Sequence, residues 1–182
     1  MTDYKVEQFT EVTPELDAFM EIAKSRGLDN NANINMLYSY RDEREHALFT
    51  LWYKGNIVGT FGAHSMDVLP NAYRICARMC ILTDLTDYPS IRTLNQIKTN
   101  KHLTALYAIP KCIEWVQSVN PLGNMYITSH PSNVGTQRLV HNIYCPAMEK
   151  ISVLKNEGEY MYRGAMQTFW KLNSERFYET IN

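Results

Sequence analysis

The tripeptide Lys54-Gly55-Asn56 constrains this chain more than any other short stretch. Gly and Asn accept the positive φ that a tight hairpin demands, and they stand between two apolar, β-forming runs, residues 47–53 and the run that opens with Ile57 and Val58. The second run carries Gly59 and Gly62, which in a strand mark a bulge or a close backbone approach, and it ends near Asp67. Leu69-Pro70-Asn71 then turns the chain into a third strand over residues 73–82. There Tyr73, Ile75, Ala77, Met79 and Ile81 alternate with Arg74, Cys76, Arg78, Cys80 and Leu82, so one face is core and the other mixes charge, thiol and apolar groups. Residues 46–84 therefore read as a three-strand antiparallel meander around which the rest of the chain is organised.

Composition bounds what such a meander can belong to. With 182 residues the chain reads as one domain, 1–182, large enough to bury a core without disulfide or metal staples. Lys+Arg 18 against Asp+Glu 19 gives a net charge of -1, so no global field favours nucleic acid or an acidic membrane surface. No apolar run approaches the ~20 residues that span a bilayer. The N-terminus has no apolar signal core, and Cys76, Cys80, Cys112 and Cys145 lack metal-type spacing, a pattern expected of reduced thiols in a cytoplasm. Cys76 and Cys80 share a strand face about 13 Å apart, too far for a disulfide or a shared metal.

The flanking elements follow from local signals. Residues 4–10 form a first strand, and Thr13-Pro14 opens a helix with Leu16, Phe19, Met20 and Ala23 inward, ended by Gly27. A short helix is expected over 34–40, a solvated charged connector over 41–45, and an irregular stretch over 85–100. A helix over 100–119 turns Leu103, Leu106, Tyr107, Ile113 and Val116 inward and is kinked or split at Pro110. A strand over 125–129 pairs in parallel with the third meander strand through a right-handed crossover. Pro131-Ser132-Asn133 then caps a helix to Tyr144, with Leu139, Val140 and Ile143 buried and Pro146 ending it. The chain closes on a hairpin of residues 149–155 and 159–170 joined by Asn156-Glu157-Gly158.

This order of elements resembles the GNAT N-acetyltransferase superfamily over nearly the full chain. The meander FTLWYKGNIVGTFGAHSMDV and YRICARMCILTD is similar to the family's strands two to four, residues 125–129 to strand five, and the closing hairpin to strands six and seven. The resemblance implies an α/β (α+β) fold with a mixed, mostly antiparallel seven-strand sheet flanked by about four helices. It also implies an N-acyltransferase that moves an acyl group from acetyl-CoA or another acyl-CoA, held along the edge of the third meander strand at Ile81 and Leu82, to a small-molecule amine. The family's glycine signature around the coenzyme pyrophosphate is absent, since no glycine stands between Thr83 and Ala105. In its place Arg92, Lys98 and Lys101 lie at or before a helix N-terminus, where an anion could bind without glycines; the other reading is three solvated side chains on a loop. By resemblance Asn133 and Tyr144 match the family's Asn and its proton-donating Tyr, at a longer separation than is usual. Asp84 and His130, at strand ends, are the candidates for the base.

Two other readings stand beside this one. A GNAT-like fold without coenzyme binding would serve as a binding or assembly module with a protein partner, and the missing glycines favour it. An enzyme on the same scaffold could instead use a carrier-linked acyl donor. The oligomeric state is open, a dimer included. Hydrolase and NTPase motifs such as GxSxG, HExxH and the P-loop are absent from the sequence.

Overall fold

The computed structural model describes residues 3–28, 45–82 and 103–182. The helix expected over 34–40, most of the 41–45 connector, the stretch over 85–100, and Asp84, Arg92, Lys98 and Lys101 lie outside the described residues. Seven strands form one sheet in the order β1-β2-β3-β4-β5-β7-β6: β1 Tyr4–Phe9, β2 His46–Tyr53, β3 Asn56–Met66, β4 Ala72–Ile81, β5 Asn124–Ile127, β6 Leu154–Tyr162 and β7 Ala165–Leu172. The β1–β2, β2–β3, β5–β7 and β6–β7 pairs are antiparallel. Leu82 N–H bonds Val58 O while Gly62 lies against Ala77, so β3 and β4 also run in opposite directions. β4 and β5 are parallel, with Ala72, Tyr73 and Arg74 opposite Asn124, Met125 and Tyr126. This is the mixed, mostly antiparallel sheet expected from the sequence.

The chain gathers into two compact units whose boundaries fall within β3, β4 and the helix Ile109–Val119. The first draws on Met1–His64 and Cys76–Trp115. In it Thr13 Oγ1 accepts from Leu16 N at 3.2 Å to cap α1, Pro14–Ser25, which buries Leu16, Phe19 and Ala23. The β2–β3 hairpin turns on two residues, Lys54 at φ 47° and Gly55 at φ 78°, with Tyr53 opposite Asn56. The left-handed pair is thus Lys54-Gly55 and not Gly55-Asn56, which is the two-residue turn whose twist matches the flanking strands. The register shifts at Leu51/Trp52, so that Leu51 faces Gly59 and Trp52 faces Ile57. Val58 is the extra residue of a bulge. At Gly62 an added Cβ would stand 2.9 Å from Ala47 O, the close approach that its position in the strand foretold.

The second unit draws on Ser65–Ile75 and Val116–Asn182. Its core is Met66, Ala72, Tyr126, Tyr162 and Phe169, with Tyr126, Tyr160 and Tyr162 edge-on to Phe169 at centroid distances of 5.8, 5.3 and 6.0 Å. The closing hairpin differs from expectation. Its turn is Arg163-Gly164, at φ 49° and 79°, with Tyr162 opposite Ala165. Asn156-Glu157-Gly158 is instead a bulge inside β6, where Glu157 and Gly158 both oppose Phe169, and Glu149 is helical. The helix Ser174–Ile181, capped by Asn173, follows β7.

Two helices depart from α geometry in the same way. Residues Thr104–Ala108 and Gln137–Tyr144 are π-helical, closed by Ile109 N–H to Thr104 O and by Cys145 N–H to Val140 O. Each runs into an α-helix, Ile109–Val119 or Cys145–Lys150, whose second residue is a proline, Pro110 or Pro146. A wider turn ahead of a proline relieves the clash of its ring with the carbonyl four residues back. Pro146 therefore sits inside a continuing helix and does not end one. The change of period also moves the buried faces: Leu106, Leu139 and Ile143, expected inward, are exposed.

Candidate functional site

The sequence placed candidate residues at the ends of β4 and β5 and on the helix after β5. At the end of β4, Ile81 and Leu82 are buried, and the Leu82 N–H is engaged by Val58 O at 2.9 Å. Cys76 and Arg78 adopt left-handed φ of 52° and 48°, which breaks the alternation read from sequence: beyond Arg78, Cys80 and Ile81 are both buried. Burial pushes the Cys80 thiol up to about 11, against an opposing pull from Arg26, and the Cys145 thiol up to about 12. Both are protonated packing groups and not nucleophiles.

After β5, His130 is exposed, and its Nδ1 lies 2.7 Å from Ser132 Oγ and accepts from Ser132 N–H at 3.2 Å. Asn133 is the helix cap, with Oδ1 accepting from Thr136 N at 3.2 Å and its own N–H bonded to His130 O. Tyr144 is half-buried at the last position of the π-helical stretch.

The densest polar chemistry in the second unit is one the sequence reading missed. Thr128 and Ser129, just past β5, are buried, as are His141 and Gln167. Trp170 Nε1 donates to His141 Nδ1 at 3.1 Å, and His141 Nε2 lies 2.7 Å from Ser129 Oγ. An indole N–H can only donate, so Nδ1 must carry the lone pair, Nε2 must carry the proton, and His141 must donate to Ser129. Gln137 Nε2 also donates to Ser129 Oγ, at 3.0 Å, and to Ser129 O, at 3.1 Å. Ser129 Oγ is thus an acceptor twice over, held by a neutral imidazole, and His141 is not placed to take its proton as the base of a Ser–His pair would. Beside it Thr128 Oγ1 donates to Gln167 Oε1 at 3.1 Å, and Gln167 Nε2 donates to Tyr162 O at 2.8 Å.

Burial, and then the positive charge of Arg74, hold the His141 imidazole below its ordinary value of 6.5. In the window between that lowered value and 6.5 the unfolded chain binds a proton that the folded chain does not, so stability declines as pH falls below 6.5. Melting temperatures measured from neutral pH downward should show this decline, and His141→Gln should flatten it; an unchanged pH slope in the variant would contradict the neutral assignment.

The register of this segment costs apolar burial. His141 is 6% exposed, whereas Leu139 and Ile143 are each 52% exposed, which forfeits on the order of 1 kcal/mol apiece. No sequence signal for the hub was strong, because a histidine among Leu139, Val140 and Ile143 reads as the polar face of an α-helix. A cavity of about 180 Å³ in the first unit, lined by Glu7, Phe9, Glu11, Thr13, Thr50 and Trp52 among others, includes none of the expected site residues. Among the described residues no three His, Cys, Asp or Glu side chains are grouped to hold a metal ion, and no helix is long and apolar enough to cross a membrane.

No protein-family model matches the chain, and no curated protein matches it in sequence. Solved structures do match over nearly its whole length. A protein from Desulfovibrio desulfuricans assigned to the GNAT acetyltransferase family superposes with a TM-score of 0.52 at 8% identity, covering 93% of this chain and 98% of its own. This chain has the GNAT fold. An uncharacterised protein from Bacillus halodurans gives a TM-score of 0.54 at 11% identity, with 98% and 91% covered. An acyl-CoA N-acyltransferase from Pseudomonas aeruginosa gives 0.50 at 8% identity, with 95% and 100% covered. At these identities the likeness is one of GNAT architecture.

Proposed function

We propose that the protein is an N-acyltransferase that moves an acyl group from a coenzyme A thioester to an amine. The observation that carries this reading is the sheet, in which, among the described residues, the single parallel pair, β4–β5, interrupts otherwise antiparallel pairing. The parallel ladder stops at Arg74 while β4 runs on to Ile81. The pantetheine arm of coenzyme A is an extended amide-bearing chain of the kind that lies along a strand. The donor then lies along the edge of β4 toward Ile81 and Leu82, Arg92, Lys98 and Lys101 serve its phosphates, and Asn133 is a further coenzyme-binding residue. Tyr144 gives a proton to the departing thiolate, and Asp84 or His130 takes one from the attacking ammonium. Bound coenzyme would supply the activated carbonyl. The four thiols fit a reducing cytoplasm, since none of them is in a disulfide.

The test is thiol release from acetyl-CoA against a panel of primary amines, amino acids and polyamines. Acceptor-dependent release matched by N-acylated product supports the reading; release no faster than uncatalysed hydrolysis with every acceptor opposes it. The second reading, a GNAT-fold binding module, is favoured by one feature, the absence of glycine between Thr83 and Ala105.

A further inference from the structure

Residues 137–145 can be buried in two registers. An α-helix with Leu139, Val140 and Ile143 inward buries the apolar stripe, but the structure turns His141 and Cys145 inward and leaves Leu139 and Ile143 out. What opposes the apolar register is the hub: Trp170 to His141 Nδ1, His141 Nε2 to Ser129 Oγ, and Gln137 to Ser129 Oγ and O. Every one of these bonds passes through Gln137 or His141, so rolling the apolar stripe inward would break the set. The hub thus ties the end of β5 and β7 to one face of the helix. The stretch it holds is π-helical and ends on Tyr144. A π turn takes in an extra residue, so Tyr144 is rotated by about 100° from its place on a continuous α-helix.

We propose that His141 is a positioning residue for Tyr144: by bonding Ser129 and Trp170 it holds the π-helical register that sets where the Tyr144 hydroxyl points. The inference rests on the reading of Tyr144 as the proton donor. Local preference and final register disagree here, and such disagreement is kept where function needs it.

The test places a fluorinated tyrosine at position 144 and records its fluorine NMR resonance in wild type, His141→Leu, His141→Gln and Trp170→Phe. His141→Leu removes the imidazole bonds and adds to the apolar stripe, so the resonance should move and turnover should fall about 10²-fold with acyl-CoA affinity retained. His141→Gln keeps an oxygen for Trp170 and an amide N–H for Ser129, and should return both readouts toward wild type. If His141→Leu does not fold, Trp170→Phe carries the test, with a smaller displacement expected. A resonance identical in wild type and in a folded hub variant overturns the proposal. Because the resonance is read without ligand, it decides the positioning claim even where wild type neither binds acyl-CoA nor turns over, a result that would overturn the acyltransferase reading alone.

Discussion

Tyr144→Phe should lower turnover by about 10²-fold or more while leaving acyl-CoA affinity at its wild-type value. The substitution keeps the ring and its buried area and removes only the hydroxyl. A tyrosine that merely packs would lose at most the ~1 kcal/mol of one hydrogen bond, visible in melting temperature and not in rate. A tyrosine that protonates the leaving thiolate loses an interaction made only in the transition state, so kcat falls and coenzyme binding does not. Steady-state kinetics with an active amine, beside a melting curve, separates the two. Wild-type turnover in the variant would remove Tyr144 from the chemistry and make water the proton source.

Gly62→Ala should destabilise the protein by about 1–3 kcal/mol, the range for forcing extra volume into a packed core. The new methyl would meet Ala47 O and Leu48 Cδ2, each at 2.9 Å, and the carbonyl belongs to the β2–β3 ladder and cannot swing away. For a chain of this size that is a fall of roughly 3 to 10 °C in melting temperature. Gly135→Ala is the matched control, since a Cβ there meets nothing within 4 Å and its φ is not left-handed. It should be neutral or slightly stabilising, as Ala is the better helix former. Equal melting temperatures for Gly62→Ala and wild type would show that β2 can yield, and the close-packing account of Gly62 would fail.

What the sequence disclosed, and what it concealed, divides by the range of the interaction involved. The β2–β3 hairpin was legible because Lys54-Gly55-Asn56 between two apolar runs leaves room for little but a tight turn, although the left-handed pair is Lys54-Gly55 and not the expected Gly55-Asn56. The parallel partnership of β4 and β5 was legible because a helix must intervene between parallel neighbours. The closing hairpin was misread because both Gly158 and Gly164 can adopt left-handed φ, at 105° and 79° in the structure. The choice between them is made across the sheet: turning at Gly164 brings Tyr162 and Tyr160 against Phe169 and makes the Gly158 excess a bulge. The helix after β5 was misread for a related reason. Its cap, Asn133, is local and lies within the run Pro131-Ser132-Asn133 that the sequence offers, but its register is set by Ser129 and Trp170, which no period in residues 134–144 can report. Of the site, Ile81, Leu82, His130, Asn133 and Tyr144 fall within the described residues, and the hub beside β5 came only from the folded chain.

The measurement that bears most directly on this account is the melting temperature of the purified protein with and without acetyl-CoA. A working GNAT acyltransferase binds the thioester in its folded state alone, and at a hundredfold excess over the dissociation constant that adds about 2.7 kcal/mol of stability. A rise in melting temperature that grows with coenzyme concentration is the result expected. No rise with acetyl-CoA or with longer acyl-CoA thioesters would contradict the acyltransferase and leave the binding module.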